Sequence, residues 1–170
     1  MKRLVLATLC VGIMPVLFGC KSGPPPAPPP PVYQKEAIRL NFKADPRLNL
    51  YQNSSHALLV CVYQLADPNG FNQLLDERDG FPRLLECGRF DGSVASAKKL
   101  VVQPGEEFKE AIDRAEGAKY LSVVAGYYNP QKERPSRLYS IPPVLGGKKG
   151  KPMNVVLYLG PQAIEDLGVK

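Results

Sequence analysis

The sequence predicts an all-β domain, an antiparallel β-sandwich carrying one inserted helix, and three observations lead there. One stretch alternates apolar and polar residues with the period of a half-buried strand. A second stretch is apolar on both parities, as a central strand covered on both faces should be. Glycine and proline together contribute 33 of the 170 residues, which argues against a helical bundle and for strands joined by turns.

Taken in order, Glu36–Ala44 is the first alternating strand: Ile38, Leu40 and Phe42 share one face, Arg39, Asn41 and Lys43 the other. Asp45–His56 is polar and turn-rich, hence a loop. Ala57–Leu65 is the run apolar on both parities. Asp67-Pro68 places a capping residue ahead of a proline at the first helical position, and Phe71, Leu74 and Leu75 follow with helical spacing. Asp79-Gly80 interrupts this pattern and Pro82 restarts it, with Leu84 and Leu85 inward. Lys98–Gln103 is a short strand closed by Pro104-Gly105. Gly105–Arg114 fits either a helix or a strand, because Phe108 and Ile112 suit both periods. Tyr120–Tyr128 is a strong strand, Arg137–Ile141 a weaker one, and Met153–Leu159 the last before Gly160-Pro161, giving six or seven strands in all.

The first twenty residues are an address. Lys2 and Arg3 precede an apolar run from Leu4 to Phe18, too short to span a bilayer and typical of a secretory signal. It ends in Leu17-Phe18-Gly19-Cys20, which resembles a bacterial lipobox, although Phe18 is larger than that pattern prefers. In such signals the Cys, here Cys20, becomes residue one and is lipidated; acyl chains at about 0.8 kcal/mol per buried methylene hold strongly. Lys21 follows where an Asp would resemble an inner-membrane retention signal, so the outer membrane is the expected destination. Three segments follow: residues 1–19 as signal peptide, 20–32 as lipidated Cys and linker, and 33–170 as the β-sandwich. The linker Lys21–Val32 reads KSGPPPAPPPPV and favours polyproline II, a semi-rigid spacer reaching roughly 25–35 Å.

Loss of the signal removes two positive charges and lowers the net charge from +6 to +4, so the basic character is no argument for nucleic-acid binding. The run Lys148-Lys149-Gly150-Lys151 reads as a solvated loop, with contact to a membrane or acidic partner as the sharper alternative. Of four cysteines, Cys10 leaves with the signal and Cys20 carries lipid. Cys61 and Cys87 remain as a disulfide candidate, since Cys87 ends the helical segment that packs on the strand holding Cys61.

No catalytic constellation emerges. His56 is the single histidine, and Ser54 and Ser55 beside it form no triad. Asp76-Glu77-Arg78-Asp79 lacks the order of a calcium loop, and Gly146–Gly150 lacks the spacing and Ser/Thr of a phosphate loop. Gly126-Tyr127-Tyr128 suits either the sandwich core or presentation of aromatics to a partner or glycan. The residues thus describe a lipid-tethered, protein-binding module with no enzyme activity, metal or cofactor expected. Its alternative is a tethered binding protein for a small molecule or glycan.

Several stretches in order resemble the TssJ family, outer-membrane lipoproteins of the type VI secretion system. They are Leu58-Leu59-Val60-Cys61-Val62-Tyr63-Gln64-Leu65 running on to Phe71 and Leu74, Leu100-Val101-Val102-Gln103-Pro104-Gly105-Glu106, and Tyr120-Leu121-Ser122-Val123-Val124-Ala125-Gly126-Tyr127-Tyr128. The resemblance implies a transthyretin-like sandwich, a strand at Gly105–Arg114, and a structural function. That function is anchoring a trans-envelope complex by binding the periplasmic C-terminal region of the inner-membrane protein TssM. It places the contact on the loop between the first two strands. The candidates there are Arg47, Leu48, Asn49, Leu50, Tyr51 and Gln52, with Leu48, Leu50 and Tyr51 as exposed apolar anchors. No nucleic acid and no small-molecule substrate is implied.

Overall fold

The computed structural model describes residues 32–129, 135–143 and 150–169. The signal peptide, Cys20, nearly all of the linker, and Lys148 and Lys149 lie outside the described residues.

Eight strands and two short helices are present among the described residues. They are β1 (Gln34–Ala44), β2 (Leu58–Leu65), α1 (Asn69–Asp76), α2 (Gly80–Leu84), β3 (Val94–Val102), β4 (Glu107–Arg114), β5 (Tyr120–Ala125), β6 (Ser136–Ser140), β7 (Met153–Leu159) and β8 (Ile164–Val169). Two four-stranded sheets, ordered β4-β1-β7-β8 and β3-β2-β5-β6, face each other. All strand pairs run antiparallel except β1 and β7, which are parallel and align Ile38 with Met153.

The alternating first strand does what its pattern dictates, and β7 joins it with a buried face of its own. Ile38, Leu40 and Phe42 of β1 and Met153, Val155, Leu157 and Leu159 of β7 fill the space between the sheets. Phe42 stacks on Phe108 of β4, with ring centroids 5.6 Å apart. β2 is apolar on both faces, Gln64 excepted, because it serves two cores. Leu58, Val60 and Val62 face the other sheet. Cys61, Tyr63 and Leu65 face a second core closed by Phe71, Leu74 and Leu84 of the helical segment. Burial pushes the Tyr63 hydroxyl up to about 12, and that hydroxyl donates to the Leu84 carbonyl at 2.5 Å. A disulfide joins Cys61 and Cys87, whose Cα atoms are 5.0 Å apart, and ties the end of the helical segment to the sheet.

Several expectations need correction. Met153–Leu159 is not the last strand, because β8 follows and forms a sheet edge. β8 escaped notice because Ile164-Glu165-Asp166-Leu167-Gly168-Val169 is mostly exposed and carries no alternation. The ambiguous segment is the strand β4, where Phe108 and Ile112 both pack on the core. β3 begins earlier than expected, at Val94, and β5 ends earlier, at Ala125. The single helix is two. Asp67 does not cap through its expected position: its carboxylate accepts the Asn69 N–H at 2.8 Å and the helix starts at Asn69. α1 meets α2 at Gly80, where a Cβ would lie 2.0 Å from the Leu74 carbonyl oxygen, so only glycine allows the approach.

Two polar residues are buried where the sheets meet. Gln64 of β2 donates to the Asp113 carbonyl and accepts the Ala115 N–H, both at 2.8 Å, fastening one sheet to the other. Arg114 donates to the carbonyls of Ala118 and Pro142, and desolvation lowers its pKa.

Candidate functional site

β1 fixes the functional geometry. Its first residues continue the linker, and its last residues lead into the loop of residues 45–57. At about 3.3 Å per residue, its eleven residues separate these two ends by roughly 33 Å. The linker end and the loop therefore occupy opposite poles of the sandwich.

At the linker pole, Asp113 of β4 receives the Tyr33 hydroxyl on one carboxylate oxygen and the Glu36 N–H on the other, at 2.8 Å. The Tyr33 hydroxyl, and after it the Glu36 N–H, hold the Asp113 carboxyl below its ordinary value. Glu36 has φ of 51°, at an irregularity in the β1–β4 register between Gln34 and Ile38.

At the opposite pole the loop is tied down at several points. The Leu48 carbonyl accepts from His56 N–H at 3.0 Å, and Leu50 N–H donates to the Pro161 carbonyl at 2.8 Å. Asp45 accepts the Tyr158 hydroxyl and the Arg47 N–H, which together hold its pKa below the ordinary value, the hydroxyl contributing most. Tyr51 and Ser54 exchange N–H···O bonds of 3.0 and 2.9 Å. Between them Gln52 and Asn53 have φ of 48° and 62°, the two positive values a I′ hairpin turn requires. The residues 51–55 at this tip are all exposed.

The six loop candidates divide. Arg47, Tyr51 and Gln52 are exposed and Leu50 is half-buried. Leu48 is not an exposed anchor: it is fully buried and belongs to the core between the sheets. Asn49 is also buried, and it works as a brace. Its Nδ2 donates to the Ala57 carbonyl at 3.0 Å and its Oδ1 accepts the Tyr128 N–H at 2.8 Å. Tyr128 sits in the β5–β6 connection, not in the strand where the sequence reading put it. Its contact with the loop has no local signal, because Asn49 and Tyr128 are 79 residues apart.

His56 forms no nucleophile–base pair with its neighbouring serines. Ser55 donates to the Pro46 carbonyl at 2.9 Å, and the ring of His56 packs against Tyr51 and Tyr128. Two cavities of about 310 and 250 Å³ lie elsewhere. The larger, between β2, β3 and β4, is lined by Gln64, which is committed to backbone bonds, and by Lys98, which pairs with Glu110. The smaller, at the linker pole, is lined mainly by apolar residues and prolines around Arg114. Neither gathers a set of groups that would act on a substrate.

Comparison with known proteins places this arrangement. The structure is similar to the T6SS lipoprotein TssJ1 from Pseudomonas aeruginosa, at 20% identity over 83% of this chain and 96% of that one, with a TM-score of 0.60. It is similar to Serratia marcescens Lip, a membrane-bound component of the type VI secretion system, at 16% identity over 81% and 98%, with a TM-score of 0.62. It is also similar to a chain in the structure described as T6SS protein TssM C-terminal domain (869-1107) from EAEC, at 16% identity over 77% and 97%, with a TM-score of 0.60. At such identities the likeness is one of fold. No curated protein matches the sequence. The sequence itself matches the family described as type VI secretion lipoprotein, VasD, EvfM, TssJ over residues 36–158, a family of structural lipoproteins and not of enzymes. The chain belongs to the type VI secretion lipoprotein family.

Proposed function

We propose that the protein anchors the type VI secretion membrane complex to the inner leaflet of the outer membrane, by lipid on Cys20 at one end and by binding the periplasmic C-terminal region of TssM at the other. One observation carries this reading: the linker and the braced loop leave opposite ends of β1, so a tethered domain can hold the loop away from its membrane. Chains of this fold occur in structures described as a type VI membrane complex and a TssM C-terminal domain, which supports the same partner. The contact residues are Arg47, Leu50, Tyr51 and Gln52, with Leu48 and Asn49 holding the loop in shape. Every residue of both cores lies between Ile38 and Ile164, so a soluble chain of residues 21–170 carries the whole fold.

The test is calorimetric titration of that soluble chain against the periplasmic C-terminal region of the cognate TssM. Binding is expected for the native sequence, and its loss with Leu50→Ser and Tyr51→Ser together. Binding that survives these changes moves the contact elsewhere on the domain. No binding by folded protein at high concentration rejects the TssM reading and favours a tethered binder of a small molecule or glycan.

A further inference from the structure

Arg114 ends β4 at the linker pole, and only 2% of it is exposed. A guanidinium keeps its charge at physiological pH and carries five N–H donors. Here Nε and Nη2 donate to the Ala118 carbonyl at 3.0 and 2.7 Å, and Nη1 donates to the Pro142 carbonyl at 2.9 Å. Two N–H groups are left over. No carboxylate pairs with Arg114 among the described residues. Asp113, its neighbour in the strand, belongs to the opposite face and accepts from Tyr33 and Glu36. A buried cation without a counter-ion is costly, and an anion brought to it offsets that cost.

This cation lines a pocket. The cavity of about 250 Å³ at the linker pole has Arg114, Lys151 and Gln34 as its polar side chains, and Ile141, Pro142 and Met153 among its apolar ones. No Asp or Glu lines it. Lys151 is exposed, so the two cations sit at different depths. A buried guanidinium, an ammonium open to solvent, an amide and an apolar wall suit an anion with a short apolar stem. The volume is below that of sites for drug-sized ligands, so a headgroup fits and a whole lipid does not. Position selects the source of the anion. The linker Lys21–Val32 ends two residues before Gln34, and Val32 and Tyr33 are 63% and 58% exposed there. A short tether holds this pole at an effective concentration of about millimolar relative to the lipid surface, so even a weak site is occupied.

We infer that this pocket takes the headgroup phosphate of an anionic phospholipid, held by Arg114 and Lys151 with the apolar wall against the glycerol. Occupied, it seats the linker pole on the membrane and points the loop of residues 45–57 away from it. The inference takes its lipid surface from the Cys20 tether proposed above and is independent of TssM. Intact mass of the mature protein tests that tether separately.

Residues 21–170, labelled with nitrogen-15, are titrated with glycerophosphoglycerol and with inorganic phosphate. The same chain is sedimented with vesicles of equal parts phosphatidylglycerol and phosphatidylcholine, and with phosphatidylcholine alone. Glycerophosphoglycerol is expected to shift the amide resonances of Gln34, Lys151 and Met153 saturably and to leave those of Tyr51 and Tyr128 in place. The mixed vesicles are expected to carry the protein down, and phosphatidylcholine alone to leave it in solution. Lys151→Glu should weaken both kinds of binding about fivefold or more, while Lys43→Glu, the same charge change toward the other end of β1, alters them by less than about twofold. Arg114→Gln should weaken them about tenfold or more. Its thermal midpoint reports whether it folds, and Lys151→Glu, at an exposed residue, carries the test if it does not. Equal losses from Lys43→Glu and Lys151→Glu overturn the inference in favour of diffuse attraction. Shifts with inorganic phosphate and no preference for the mixed vesicles overturn the lipid source. No shift at the pocket overturns the site itself. Each of these results leaves the TssM reading standing.

Discussion

Replacing Cys61 and Cys87 together by alanine removes the cross-link between the helical segment and β2. The two residues are 26 positions apart. The loop-entropy relation for a loop of that length gives about 3.5 kcal/mol lost, through the freedom returned to the unfolded chain. Cys61 is fully buried among Tyr63, Phe71, Leu74 and Leu84, so the vacated sulfur positions add a packing cost of about 1 kcal/mol. The expected total is about 3–5 kcal/mol, a large part of the stability of an ordinary domain. For a chain of this size that is a drop in Tm of about 10–15 °C. Urea and thermal unfolding of residues 21–170, native and double variant, with and without reductant, measure it. Intact mass after alkylation counts the thiols. Two alkylatable thiols in native periplasmic protein, or a midpoint that moves by less than about 3 °C on full reduction, would refute the reasoning. Binding at low temperature should survive in the double variant, since the bridge packs on the outer face of its sheet and the docking loop does not.

Gln64→Leu keeps the volume but strands the Asp113 carbonyl and the Ala115 N–H, so a loss of about 2–4 kcal/mol with unchanged urea slope is expected in equilibrium unfolding. Asp45 has a lowered pKa in the folded state, so its stabilising contribution is present above its unfolded value of about 3.9 and disappears as pH falls through the folded value. The gap in urea midpoint between native chain and Asp45→Asn should therefore be widest near neutral pH and close below about pH 4; a gap that grows on acidification contradicts that assignment. Leu48→Ser should lower the unfolding free energy measured in urea by about 2–4 kcal/mol, as expected for a core residue, while an exposed anchor would leave stability untouched.

The parts of the fold legible in the sequence were those where burial imposes a period. Alternation in β1 marks one inner face, and the run apolar on both parities in β2 marks two. β4 stayed ambiguous because residues four apart share a face in both a helix and a strand, and only pairing with β1 decides between them. β8 was invisible because an exposed edge strand needs few apolar side chains. The loop was legible as a loop, but its interior was not. Leu48 and Leu50 look alike in sequence; one fills the core and the other is half-buried at the pole, a difference set by the turn at Asp45 and the bond to Pro161. Tyr128 could be read as an aromatic for the core or for presentation, but its seat against the loop was out of reach, since a buried asparagine from a distant segment positions it.

The central claim is that the chain is tethered at one pole and docks at the other. Site-specific photocrosslinking in cells making the full-length lipoprotein tests it most directly, with the photoreactive residue at position 51 or at position 33. The account predicts an adduct with TssM from position 51 and none from position 33. An adduct from position 33 alone, or none with TssM from position 51 in an assembled secretion system, would contradict it.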